Sequence, residues 1–112
     1  MPLRPSRPPS IRTQREAVLL SLLTHEECYG LELRSRYQNW TTERLPLGAL
    51  YTTLQRIEDK GFIKSRMGES IAPRGGNRRR YFSITGKGEK ALDEFLQRAR
   101  RVVPSPRRGA LS

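Results

Sequence analysis

The segment LGALYTTLQRIEDKG, residues 47–61, decides how the rest of the chain is read. Leu47, Leu50, Leu54 and Ile57 recur at i, i+3, i+7 and i+10, the stripe that a 3.6-residue period lays along one side of a helix. The other side carries Gly48, Tyr51, Thr52, Gln55, Glu58 and Asp59, and its N-terminal half bears no acid. That half is the end a helix presents to a DNA groove. Pro46 suits the first turn, where a missing N–H costs nothing, and Gly61 suits the stop, because glycine tolerates a left-handed backbone. Phe62 and Ile63 follow at once, so the chain passes from this helix into a strand. A helix, a short strand, a basic loop and a returning strand together predict a winged helix-turn-helix, an α+β fold that is mostly α.

Upstream of that helix the chain offers scaffold. Residues 13–23 read as a first helix, with Thr13 as cap, Glu16 completing a capping box, and Val18, Leu19, Leu22 and Leu23 as the apolar face. Residues 29–40, YGLELRSRYQNW, read as a second, burying some combination of Leu31, Leu33 and Tyr37 and exposing Arg34, Arg36 and Gln38. Trp40, the only Trp, suits a core or dimer contact better than a base-stacking platform. Residues 41–45 make the turn. Between the two helices His25, Glu26, Glu27 and Cys28 are metal-ligand types, but with no second ligand cluster a polar loop is the expectation and no metal is assigned.

Downstream, residues 62–66 read as a strand, 67–77 as a long loop and 78–85 as the returning strand. This hairpin holds Lys64, Arg66, Arg74, Arg78, Arg79 and Arg80 against one acid, Glu69, and Pro73, Gly75 and Gly76 let its tip approach a partner closely. Such a tip suits phosphates, which supply affinity without sequence reading. Residues 85–103 form the last helix, with Ala91, Leu92, Phe95, Leu96 and Ala99 on a stripe apolar enough to need a partner. A second copy of the chain is the expected cover, and packing back on its own domain is the competing reading.

The expected organisation is a basic arm at 1–12, a DNA-binding domain at 13–85, a dimerisation helix at 86–103 and a basic tail at 104–112. In the arm, prolines at 2, 5, 8 and 9 preclude helix, and Arg4 and Arg7 either follow a DNA backbone or are simply solvated. Across 112 residues, 22 Lys and Arg stand against 11 Asp and Glu, a net charge of +11 that favours a polyanionic partner. The lone Cys28 fits a reducing compartment, and the longest apolar run, 17–23, is far too short to span a bilayer. A cytoplasmic protein with no membrane partner is expected. One His, one Cys and scattered carboxylates offer no nucleophile, base and orienter set, which argues against an enzyme and calls for no cofactor.

YG-LEL at 29–33, LGALYTTLQRIEDKGFI at 47–63, MGES-x-x-PRGGNRRRYFSIT at 67–85 and the G-K-G-x-KAL that follows resemble the PadR family of bacterial transcriptional regulators. The resemblance implies a homodimeric winged helix whose third helix enters the major groove, whose wing touches the flanking backbone and whose C-terminal helix pairs the subunits. Many members carry Pro where this chain has Thr52. Small members that sense aromatic drugs use a Trp on the C-terminal helix. The helix at 85–103 has none, so that type of pocket does not carry over, and a small-molecule effector of another type is left open.

The functional expectation is a sequence-specific DNA-binding regulator acting as a homodimeric repressor on double-stranded DNA. The alternative is a sequence-independent RNA-binding or nucleoid-coating module. Tyr51, Thr52 and Gln55 are the candidate base readers, and Arg56, Arg74, Arg78, Arg79 and Arg80 the candidate backbone contacts. Leu92, Phe95, Leu96 and Ala99 are the candidate dimer interface.

Overall fold

The computed structural model describes residues 8–69 and 78–102. Its elements run α1 (Gln14–Leu23), β1 (Cys28–Tyr29), α2 (Gly30–Thr41), α3 (Leu47–Asp59), β2 (Ile63–Met67), β3 (Arg80–Ile84) and α4 (Gly86–Val102). Antiparallel β3 lies between β1 and β2, pairing Phe82 with Cys28 on one side and with Ser65 on the other. This is the expected winged helix. The predicted loop of the wing, and Arg74 with it, lies mostly at 70–77, outside the described residues, as do 1–7 and 103–112.

Leu19, Leu20, Leu33, Leu45, Leu50, Leu54, Ile57 and Phe62 are almost fully buried and form the centre of the core, where α1, α2 and α3 meet the sheet. At ~1.5–3 kcal/mol for each fully buried large apolar side chain, this cluster is the main favourable term against chain entropy. Gly61 ends α3 with φ of +83°, as its position predicted. Thr85 then starts α4: its Oγ1 accepts from the Gly88 N–H at 3.0 Å and donates to the Gly61 carbonyl at 2.7 Å. Gly88 lies so close to the Phe62 carbonyl that any Cβ would clash with backbone, which explains a glycine inside a helix.

Four readings change. Cys28 and Tyr29, expected in a turn and a helix start, form β1, because the outer edge of β3 needs backbone partners and two residues suffice. Leu47 opens the predicted stripe with the right period but is 44% exposed, since the first turn of α3 projects past the core; Thr53 is buried beside Leu50 and Leu54 instead. Arg34 and Gln38, expected on the surface, are half-buried. Arg34 donates from Nε to the Leu45 carbonyl at 2.6 Å, and Gln38 Oε1 accepts from the Leu45 N–H at 2.8 Å, so both satisfy the backbone of the turn between α2 and α3. Finally, the stripe of α4 is divided: Ala91 and Leu92 join the protomer core, whereas Leu96 and Val102 are 48% and 80% exposed.

Candidate nucleic-acid interface

With Leu50, Leu54 and Ile57 fixed in the core, α3 turns Gly48, Tyr51, Thr52, Gln55, Arg56 and Asp59 to solvent. Tyr51, Thr52, Gln55 and Arg56 share one open trough with Asp59, Lys60 and Pro9, of about 770 Å³. All three predicted base readers and one predicted backbone contact are thus brought together. Two of them are already held in place. Tyr51 lies over the start of α2, where a Cβ on Gly30 would stand 2.5 Å from its hydroxyl, so Gly30 makes room for the ring. Gln55 donates from Nε2 to Asp59 Oδ1 at 2.9 Å, one helical turn on, which leaves its Oε1 as the open acceptor.

Arg56 extends beside the trough but its guanidinium also stands 3.7 Å from Glu16, and Glu16 is the feature that sequence reading undervalued. Its carboxylate is fully buried and takes Lys60 Nζ at 3.2 Å on both oxygens. It also accepts from the Arg12 N–H at 2.8 Å, one residue before the cap, rather than closing the expected capping box on Thr13 itself. Thr13 Oγ1 does accept from the Glu16 N–H at 3.1 Å, so half of that box is present. An unpaired carboxylate in this position would cost several kcal/mol, and Lys60 is the group that neutralises it. The signal was available: Glu16, Leu19, Leu20 and Leu23 are spaced i, i+3, i+4 and i+7, so an acid shares the core face and requires a cation.

On the wing, the register sets Arg80 opposite Met67 and Tyr81 opposite Arg66. Arg78, Arg79 and Arg80 are all exposed, but their environments differ. Arg78 donates from Nε to the Gly68 carbonyl at 2.9 Å, and the Arg79 guanidinium lies 4.2 Å from the centre of the Tyr29 ring. Tyr29 in turn meets Tyr81 edge-on at 5.8 Å, and Arg66 covers Tyr81 while pairing with Glu27. Arg66 holds the Glu27 carboxyl below the usual carboxylate range.

The turn before β1 binds its polar groups internally. Glu26 pairs with Arg36, Glu27 with Arg66, and Cys28 is buried, its thiol pushed up to about 11 by burial and by the Glu32 carboxylate. Among the described residues no group of His, Cys, Asp and Glu could hold a metal ion, and no helix is long and apolar enough to cross a membrane.

Between α1, the end of α2 and α4, Leu96 and the half-buried Phe95 of α4, with Val18, Leu22, His25 and the 75% exposed Trp40, line an apolar groove of about 290 Å³. Ala99 lies on the same helix, exposed, and Leu92 forms the groove floor from within the core.

The family model described as the Transcriptional regulator PadR-like family matches residues 19–94, which span α2, α3, the sheet and the buried half of α4. The chain belongs to this PadR-like family. A PadR family transcription regulator from Clostridium difficile is similar at 30% identity, covering 78% of this chain and 88% of that one, with a TM-score of 0.66. A PadR-like regulator from Bacillus cereus is 29% identical over 79% of this chain and 82% of its own, also at 0.66. An uncharacterised protein of Lysinibacillus sphaericus is 28% identical over 78% of this chain and 79% of its own length. PadR-like proteins are DNA-binding transcriptional regulators and not enzymes, so the chain is a DNA-binding transcription regulator with a winged-helix fold.

Proposed function

We propose that this PadR-like protein is a homodimeric, sequence-specific repressor in which α3 reads base edges from the major groove and the wing holds the flanking backbone. The observation that carries the reading is the division of α3: beyond the exposed Leu47 of its first turn, its apolar side is used by the protomer, while Tyr51, Thr52 and Gln55 stand open beside Arg56. Because Gln55 spends its Nε2 on Asp59, its free Oε1 selects a donor, the exocyclic amine of cytosine or of adenine; a two-point contact to adenine requires Nε2 to leave Asp59. Arg78 and Arg80, both exposed, are the wing's phosphate contacts, joined by Arg74 from outside the described residues. Arg79, stacked on Tyr29, is the least available of the three.

The dimer forms through α4. Phe95, Leu96 and Ala99 supply its open stripe and Leu92 supports them from the protomer core, with Trp40 and Leu22 completing the surface a second α4 would cover. Two such protomers place two α3 helices on one duplex, at half-sites about 10 base pairs apart or a multiple of that. A small-molecule effector would find no Trp on α4; the single Trp stands at the end of α2.

Binding-site selection followed by salt titration tests the reading. The selected duplex should bind ~10³-fold or more tightly than random DNA at physiological salt, and a promoter carrying it should lose transcript when protein is added. Equal affinities that differ only along a common salt slope would instead identify a sequence-independent coating module.

A further inference from the structure

A second cavity, of about 480 Å³, opens where the start of α1, the end of α2 and the middle of α3 meet, with Arg15, Val18, Tyr37, Trp40, Glu43 and Arg56 on its wall. Most polar groups here are already paired within the protein. Thr53 Oγ1 donates to the Ala49 carbonyl and Thr41 Oγ1 to the Tyr37 carbonyl, both at 2.8 Å. Arg15 is the exception: its Nε is buried, and among the described residues it has no hydrogen-bond partner. A buried N–H without an acceptor is destabilising, and the acceptor that best suits a charged guanidinium is an anion.

We propose that this cavity is a binding site for a small organic anion, with the oxyanion of a carboxylate or phosphate monoester seated on Arg15 and Arg56. The Nε–Nη fork of arginine matches two oxygens of such a group, and two arginines against Glu43 leave the described wall net positive. Glu43 is held only by the Tyr37 hydroxyl at 3.4 Å, so it can accept from a hydroxyl or amine on the same ligand. The volume falls within the ~300–1,000 Å³ of small-ligand pockets. A duplex backbone fits less well, because its phosphates ride on the protein surface whereas Arg15 Nε lies beneath it. Arg56 connects the site to DNA. It borders both this cavity and the trough of Tyr51, Thr52 and Gln55, and its contact with Glu16 is a loose 3.7 Å. A ligand oxyanion draws its guanidinium away from the trough, so occupancy weakens DNA binding; this regulatory half rests on the reading of α3 as the DNA-facing helix.

The probe is inorganic phosphate, titrated into the full chain by calorimetry and by the fluorescence of Trp40, the only Trp and part of the cavity wall, with sodium chloride at equal ionic strength as control. Phosphate should give a saturable change that chloride does not. Arg15→Gln should lower that affinity by about 10-fold or more, the loss of one charge-assisted hydrogen bond, while the helical circular dichroism is kept. Arg15→Lys should recover part of it, since Lys supplies charge without the fork. Arg56→Gln leaves α1 untouched and should also lower the affinity, which keeps the test intact if the Arg15 variants fold poorly. On the selected duplex, phosphate should weaken binding beyond chloride in the parent and no more than chloride in Arg15→Gln. No saturable response to phosphate, or one that Arg15→Gln and Arg56→Gln both retain, overturns the site. A DNA salt slope lowered by ~0.9 in Arg15→Gln, with no response to free phosphate, assigns Arg15 to the duplex backbone and overturns it too. Phosphate bound at Arg15 with DNA affinity changed only as chloride changes it overturns the link through Arg56. A parent protein that binds random and selected DNA alike would sink the reading of α3 while leaving the calorimetric result standing.

Discussion

α3 and α4 are both amphipathic, yet they end up with opposite unfinished business. In α3 the apolar side beyond the first turn is complete within one protomer, with Leu50, Leu54 and Ile57 all buried, and apart from Leu47 and the Tyr51 ring what remains open is polar and flanked by arginine. In α4 the polar side is ordinary solvated surface, and what remains open is apolar: Leu96, Val102 and half of Phe95. An open polar face beside basic groups is suited to a polyanion, whereas an open apolar stripe is stabilised only by something equally apolar. One protein thus offers two surfaces with different chemistry, and each can be broken without the other.

The largest effect should come from the closed side of α3. Leu54→Ala deletes a core side chain and should cost ~2–5 kcal/mol, read as a lower urea midpoint. A loss below ~1 kcal/mol would mean that the site collapses around the cavity and that α3 is less firmly seated than its burial implies. Next, Leu96→Glu puts a charge on the open stripe of α4. The apparent mass in sedimentation should halve while the helical circular dichroism of the protomer persists, because the core beneath Leu96 closes without it; a mutant that remains a dimer would show that α4 is not the seam.

On the open side of α3, Gln55→Ala should relax preference at one base position, worth ~1–3 kcal/mol of discrimination. Asp59→Ala sharpens the point: with Nε2 released, preference at that same position should move toward adenine, and an unchanged selected motif for both variants would remove Gln55 from the base-reading set. The smallest effect belongs to the wing. Arg78→Ala with Arg80→Ala should lower the salt slope by ~1.8 and leave the operator preference intact, while Arg79→Ala alone should do less because its guanidinium is engaged on Tyr29. Lost preference with a retained slope would shift sequence reading from α3 to the wing.

Much of this architecture was legible before any coordinates, because it is written in local periods. The spacing of Leu50, Leu54 and Ile57 marks which side of α3 is committed, and Gly61 marks its end. Turn chemistry and charge are likewise properties of neighbours in sequence, which is why the helix, the strand after it and the basic hairpin emerge from residues 47–85 alone.

What tertiary structure decided are the contacts between residues far apart in the chain. β1 exists because β3 has an edge to satisfy, and two residues are too few to carry a period. Leu47 has the right spacing and the wrong place, since a period says which side a residue is on but not where the neighbouring elements stop. Glu16 and Lys60, 44 residues apart, are paired only because α1 crosses the end of α3. The same holds for α4: its stripe could be read from sequence, but where burial ends, between Leu92 and Leu96, depends on how far α1 extends beneath it.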